Sequence, residues 1–123
     1  MMPNDDAFTT WISTLDDAPV AIVYLCGELD TAGVTLLLAD LKEVINGNRS
    51  ILFDAHLLSY IDATGLSALS SVQKALKDTG RGACIVGAHG LLERILVLSG
   101  AEGVFKRYET ADEAIAEVGN PGW

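Results

Sequence analysis

A nucleophilic or metal-dependent centre in this chain would have to be built from two histidines, His56 and His89, two cysteines, Cys26 and Cys84, and scattered Asp and Glu. Their spacing does not assemble one. No Cys-x-x-Cys or His-x-x-x-His pair occurs, so the donor set of a tetrahedral zinc site is missing. No Gly-x-Ser-x-Gly elbow presents a serine, and neither histidine is spaced as a charge-relay partner. His56 reads as a solvated loop residue. The sequence therefore assigns no catalytic residue, no metal ligand and no cofactor, and the chain reads as a binding protein rather than an enzyme.

Two glycine clusters have the composition of a phosphate-binding turn. Gly80-Arg81-Gly82 looks like the opening of a dinucleotide fingerprint but precedes a strand, whereas a pyrophosphate must meet the amino end of a helix. Gly87-Ala88-His89-Gly90 does stand between a strand and a helix, where free N–H groups suit an anion. A tight strand-to-helix turn needs the same glycines, and that reading is preferred. The segment with chemistry left to explain is Leu58-Ser59-Tyr60-Ile61-Asp62-Ala63-Thr64-Gly65-Leu66. Thr64 falls at or next to a helix start, where an N-cap hydroxyl contributes about 1 kcal/mol, and the helix macrodipole favours Asp62 nearby. Capping accounts for Thr64 alone. It does not account for the combination of this segment with Gly27-Glu28-Leu29-Asp30 at the end of another strand.

The elements that must position these segments follow from periodicity. Residues 8–15 and 20–26 read as two strands joined by the turn Asp16-Asp17-Ala18-Pro19, an antiparallel hairpin. In the second strand Val20, Ile22 and Tyr24 point one way and Ala21, Val23 and Leu25 the other, which places it inside a sheet. A helix is predicted over 31–46, with Val34, Leu37, Leu38, Leu41 and Ile45 on its inner stripe and Gly47 as its stop. There follow a short buried strand at 50–54, a helix at 64–78 with Leu66, Leu69, Val72 and Leu76 inward, and a buried strand at 83–86. A helix bearing Leu92, Ile95 and Leu96 ends at Ser99-Gly100, and a last strand is expected within 104–108. Thr110 and Glu113 have capping-box spacing ahead of a final helix whose inner face is Ala111, Ala114, Ile115 and Val118. Residues 120–123 read as a frayed tail.

Strand–helix alternation after a hairpin predicts an α/β fold, a mixed and mostly parallel sheet of four to five strands with about four helices. Both 27–30 and 58–66 then emerge at the carboxyl edge of the sheet, the usual recognition edge. With strands added in chain order, Cys26 and Cys84 stand about 9.6 Å apart, two strand spacings. A disulfide needs Cα atoms within about 7 Å, so both read as free thiols.

At 123 residues the chain has room for one domain, with a core over about 8–118. Half of its residues are hydrophobic, which suits a packed interior without metal or disulfide support. Lys and Arg number 8 against 17 Asp and Glu, a formal charge of -9. Such a surface excludes nucleic acid and anionic lipid as partners, because the favourable counterion-release term requires clustered Lys or Arg. No apolar run reaches the roughly 18 residues of a membrane span, and residues 1–10 lack the basic flank and apolar stretch of a signal peptide. Unpaired cysteines fit a reducing interior. A cytoplasmic location and a monomer when free are expected.

On the two segments at the carboxyl edge, the chain resembles the STAS domain family (sulfate transporter and anti-sigma factor antagonist), and within it the free-standing bacterial anti-sigma factor antagonists. Gly27-Glu28-Leu29-Asp30 matches the Gly-Glu-Leu-Asp stretch of those proteins, and Asp62-Ala63-Thr64-Gly65-Leu66 matches their Asp-Ser-Ser/Thr-Gly-Leu segment. Leu98-Ser99-Gly100 followed by Val104-Phe105 is similar to their late helix-to-strand passage, and the likeness runs over about 20–118. The resemblance implies a STAS-like fold and a protein partner, an anti-sigma factor of the GHKL-type serine/threonine kinase class, whose capture frees a sigma factor for transcription. It also implies a switch, in which the kinase phosphorylates the residue directly after the motif Asp and a phosphatase restores binding. That residue is Ala63, which has no hydroxyl. Either the switch is lost and binding is constitutive, or Thr64 is the phosphoacceptor. One step along a helix start turns a side chain by about 100°, which favours loss. The implied partner surface comprises Asp30, Ser59, Tyr60, Asp62, Ala63, Thr64, Gly65 and Leu66, with Ser67, Ser70, Ser71 and Lys74 of the following helix. Two other roles fit the same family: a STAS subunit docked on the ATPase and permease of an ABC-type transport assembly, and a sensory module holding a small ligand. The latter needs a cavity, which the dense apolar stripes are not expected to leave.

Overall fold

The hairpin forms where the two strand-forming runs and the Asp-Asp-Ala-Pro turn place it: β1 (Thr9–Thr14) pairs antiparallel with β2 (Val20–Leu29), Thr9 opposite Cys26 and Thr14 opposite Ala21. The structure, a computed structural model, describes residues 7–98, 105–118 and 123. Three crossovers follow in chain order, from α1 (Thr31–Ile45) to β3 (Ser50–Ile61), from α2 (Ala63–Lys77) to β4 (Ala83–Val86), and from α3 (Gly90–Leu98) to β5 (Lys106–Tyr108); α4 (Ala111–Ala116) comes last. The strand order is β1-β2-β3-β4-β5, and every pair after the hairpin is parallel. This is the mixed α/β sheet that the alternation predicts.

Each face of the sheet has its own core. Val23, Leu25, Ile51, Phe53, Ala83 and Ile85 meet Leu37 and Leu41 of α1, Leu69, Val72 and Leu76 of α2, and Leu92 and Leu96 of α3. Val20, Ile22, Leu52, Cys84 and Val86 face the other way, onto Ala114 of α4 and onto Trp123. Burial on both faces is why the inner strands read as unbroken apolar runs. Trp123 is no frayed residue: its indole is buried and its Nε1–H donates to the Ala114 carbonyl at 2.8 Å. Within α1, Leu38 departs from its expected inward position and is 41% exposed. Thr110 caps α4 as its spacing predicts, Glu113 N–H donating to Thr110 Oγ1 at 3.2 Å, while the Glu113 carboxylate turns back to accept from the Thr110 hydroxyl at 3.0 Å. The predicted Ser99-Gly100 helix end and Val104 lie outside the described residues.

Polar side chains pin the amino edge of the sheet. The Arg49 guanidinium donates to the carbonyls of Leu15, Ala18 and Val20 at 2.8, 3.2 and 3.3 Å, closing the hairpin turn. Arg81 does the same for the end of α1, reaching the carbonyls of Val44 and Ile45 at 3.1 and 2.5 Å. The buried amide of Gln73 pairs with both backbone groups of Ala83, its Nε2 donating at 2.8 Å and its Oε1 accepting at 2.6 Å, and so docks α2 on β4. Cys84 lies opposite Leu52 and Cys26 opposite Leu57. The two thiols are thus displaced along the strands by roughly 15 Å as well as across them, and both are free.

Candidate functional site

β2 and β3 run past the point where β4 stops, so the carboxyl edge is carried by a two-stranded arm. The expected strand ends at residues 26 and 54 are therefore too early. β2 continues to Leu29 and β3 to Ile61, paired Cys26 with Leu57, Gly27 with Leu58, Glu28 with Tyr60 and Leu29 with Ile61. Two register shifts build the arm: Tyr24 to Cys26 faces Asp54 to Leu57, and Gly27 to Glu28 faces Leu58 to Tyr60. Each inserts one extra residue into β3, a bulge that breaks strict alternation. Ala55, Leu58 and Ile61 remain buried while His56, Leu57, Ser59 and Tyr60 are exposed. Strand periodicity alone could not show this segment, because the bulges remove its period of two. Gly27 takes φ 86° inside the arm, a conformation that glycine adopts without steric cost.

His56 is accordingly a strand residue and not a loop residue. Its Nδ1–H donates to Asp54 Oδ1 at 2.8 Å, and His89 Nε2–H donates to the His56 carbonyl at 3.0 Å. The pair ties the arm to the Gly87–Gly90 turn. Gly87 takes φ 73°, and a Cβ there would sit 2.5 Å from the His56 ring.

Both strands of the arm end in the same device. Asp30 is the N-cap of α1 and accepts a hydrogen bond from Gly33 N–H at 2.9 Å; Asp62 is the N-cap of α2 and accepts from Gly65 N–H at 2.9 Å. Asp62, not Thr64, therefore caps the second helix, because its carboxylate reaches the third helical N–H from an extended backbone. Ala63 and Thr64 are the first and second helical residues, and both are exposed. The two starts are neighbours, since Leu29 lies opposite Ile61 and Asp62 N–H donates to the Leu29 carbonyl at 3.4 Å.

Among the expected surface residues, Ser59, Tyr60, Ala63, Thr64, Ser67, Ser71 and Lys74 are exposed, and Asp30, Asp62, Leu66 and Ser70 are half-buried. Gly65 differs from the others. It is buried, and a Cβ there would sit 2.5 Å from the Leu29 carbonyl oxygen, so its role is to let α2 approach the arm. Gly33 serves α1 in the same way, 2.8 Å from Phe8 Cβ by the same construction. Sequence reasoning missed Thr31, exposed at the first position of α1, and Leu57 and Leu91, exposed apolar side chains near the edge. The signal for Thr31 was present as the repeated Asp-x-x-Gly of 30–33 and 62–65.

A cavity of about 50 Å³ lies between Leu58, Ser59, Tyr60 and Ile61 and the start of α3 at His89 to Leu92. Small-molecule sites begin at about 300 Å³, so this one has room for little more than water. Open clefts of larger volume lie elsewhere, about 370 Å³ at the hairpin turn beside Arg49 and about 570 Å³ along β5 by Glu93 and Lys106. Both are open to solvent and neither is an enclosed cavity. Among the described residues no three His, Cys, Asp or Glu converge as metal ligands, and no helix is long and apolar enough to cross a membrane.

Known proteins share this architecture. An anti-sigma factor antagonist from Mycobacterium paratuberculosis is similar at 26% identity and a TM-score of 0.80, covering 95% of this chain and 98% of that one. The anti-sigma factor antagonist SpoIIAA in its unphosphorylated form superposes with a TM-score of 0.76 at 19% identity, over 89% of this chain and 95% of that one. The phosphorylated form of the Bacillus cell fate determinant SpoIIAA gives 0.68 at 20% identity, over 90% and 98%. The family model described as the STAS domain matches residues 12–114. With most of its length matched, and with the hairpin, parallel sheet and crossover helices in place, the chain belongs to the STAS domain family.

Proposed function

We propose that this chain is an anti-sigma factor antagonist: it captures an anti-sigma factor of the serine/threonine kinase type at the carboxyl edge and so frees a sigma factor in the cytoplasm. The observation that carries the reading is the pair of Asp-capped helix starts standing side by side, flanked by exposed Ser59, Tyr60, Ala63 and Thr64. Such an edge offers charge, hydroxyls and an aromatic ring to another polypeptide and arranges no nucleophile with a base. The likeness to the Mycobacterium paratuberculosis antagonist, at 26% identity over nearly the whole of both chains, supports the same role.

Energetics suit a switchable contact. A phosphate adds about -1.5 to -2 charges, and a hundredfold loss of affinity takes only about 2.7 kcal/mol. SpoIIAA exists in phosphorylated and unphosphorylated forms. The partner footprint comprises Asp30, Asp62 and the exposed residues from Ser59 to Lys74. Titration of the purified chain with the anti-sigma kinases of its source organism tests the reading. Asp30→Lys and Ala63→Trp should each weaken capture about a hundredfold, with far-ultraviolet circular dichroism unchanged. Variants that bind as tightly as the parent would refute the footprint. Capture of a transporter ATPase in place of every kinase would refute the antagonist role in favour of a transport assembly.

A further inference from the structure

We infer that the face of the sheet turned away from α1 and α2 is a second docking surface, fitted to a basic amphipathic helix of a protein partner. It lies apart from the Asp-capped helix starts and does not depend on what they bind. Residues paired across neighbouring strands point to the same face. Trp11 lies opposite Tyr24, Tyr24 opposite Asp54, Cys26 opposite Leu57 and Glu28 opposite Tyr60. Tyr24 packs on the smaller core, so this set faces away from α1, α2 and α3. On that side the short helix α4 packs against β3, β4 and β5. Trp11, Leu57 and Tyr60 stay 47%, 59% and 41% exposed. The rings of Trp11 and Tyr24 stack with their centroids 5.0 Å apart, which makes one flat aromatic step beside Leu57.

Shape selects a helix. A mostly parallel sheet buries both of its faces under helices, and a helix is the element that fits the open half of this one. From the Trp11–Tyr24 row to the Glu28–Tyr60 row is four residues of β2, about 13 Å, and β1 to β3 is about 9.6 Å. A helix of about fourteen residues, about 21 Å long, reaches across both rows. Charge selects its composition. β1, β2 and β3 contain no Lys or Arg, and the carboxylates on the open face are Glu28 and Asp54, the latter accepting from His56 Nδ1–H at 2.8 Å. A second copy of a chain of formal charge -9 is repelled from such a face. An apolar stripe bordered by Lys or Arg instead lays its stripe on Trp11, Leu57 and Tyr60 and brings its cations to Glu28 and Asp54. A cation over the Trp11 or Tyr60 ring adds a favourable quadrupole contact. Exposed aromatic and apolar side chains gathered on one face are the usual mark of a protein contact.

The test uses the full chain and a helical peptide of about fourteen residues made of Leu and Lys, with every Leu on one stripe. The chain has two tryptophans and Trp123 is buried, so a shift of tryptophan emission to shorter wavelength reports cover over Trp11. Saturable one-to-one binding with that shift is expected. Calorimetric titration should show Trp11→Ser and Leu57→Ser each weakening it about tenfold or more, about 1.4 kcal/mol, and Glu28→Lys weakening it as well. Leu36→Ser and Leu38→Ser, which remove comparably exposed side chains from α1, should bind as the parent does. Circular dichroism checks the fold of each variant, and Leu57→Ser decides alone if Trp11→Ser does not fold. No binding overturns the inference. So does equal binding of a peptide with the same residues in scrambled order, which would mean general attraction to an acidic chain, or of one with Glu for every Lys. A Trp11-dependent dimer in sedimentation overturns it in favour of a second copy. Kinase capture enters none of these measurements, so each failure leaves the antagonist reading standing.

Discussion

Asp30 and Asp62 each perform two tasks with one carboxylate: one oxygen holds a helix N–H, and the half-exposed remainder sets the charge of the edge. Removing the cap should therefore be felt in stability as well as in binding. Asp62→Ala is expected to cost about 1 kcal/mol, lowering the melting temperature by roughly 4 °C. Thr64→Ala, at an exposed non-cap position, should stay within about 0.5 kcal/mol of the parent. Thermal melts followed by circular dichroism decide between them, and a larger loss for Thr64 would mean that the cap assignment is wrong. Cys84 gives a second prediction at this scale. Burial in the sheet pushes its thiol from 9.0 up to about 12, against a smaller opposing effect of its own backbone hydrogen bond. The folded state keeps a proton that the unfolded chain releases above pH 9, so this contribution is fully present below that pH and is lost as the pH rises toward 12. Urea midpoints should fall between about pH 8.5 and about pH 10.5 more steeply in the parent than in Cys84→Ala. A parallel fall in both would show that the thiol is not the group responsible.

At the scale of elements, the edge depends on how closely α2 can lie on the β2–β3 arm. Gly65 sets that distance, because a methyl there would meet the Leu29 carbonyl oxygen at 2.5 Å and Ile61 Cγ1 at 2.8 Å. A backbone oxygen cannot rotate away as a side chain can, so Gly65→Ala has to move the helix. The expected loss is about 2 kcal/mol, within the range for overpacking, together with weaker partner binding because Ala63 and Thr64 shift with the helix. Denaturant midpoints and a binding titration check both parts; a variant that is destabilised but binds normally would separate the packing role of α2 from the docking surface. Bulges in β3 serve the same end. They let one strand carry Ser59 and Tyr60 outward while Leu58 and Ile61 stay in the core.

For the molecule as a whole, two cores on opposite faces of one sheet share the strands between them, so damage to the smaller core lowers the stability of the entire domain. Trp123 closes the smaller core against Ala114, Cys84 and Leu52. Trp123→Ala is expected to destabilise by about 3 kcal/mol, the low end for a large buried aromatic, and to lower partner affinity only as far as it lowers the folded fraction. Calorimetry and titration at a temperature well below the melt distinguish these effects. The -9 formal charge belongs to this scale also, since it favours encounter with a basic partner surface and disfavours phosphate backbones.

The order and type of the elements were legible in the amino acids because they depend on local patterns. Two strand-forming runs around the Asp-Asp-Ala-Pro turn marked the hairpin, the stripe from Leu37 to Leu41 marked α1, and Thr110 with Glu113 marked the start of α4. The two motifs at the carboxyl edge were legible for the same reason, and so was the family. Tertiary structure alone decided where β2 and β3 stop, that Asp62 and not Thr64 caps α2, that Leu38 faces outward, that Gly65 is spent on packing and that Trp123 is core. The strand ends and the packing of Gly65 turn on partners distant in the chain, Leu57 for Cys26 and Leu29 for Gly65, whereas the Asp62 cap is made locally, with Gly65 three residues on. A period of two or 3.6 carries no information about which distant residue will stand opposite, and it is that pairing which sets two aspartates side by side at one edge.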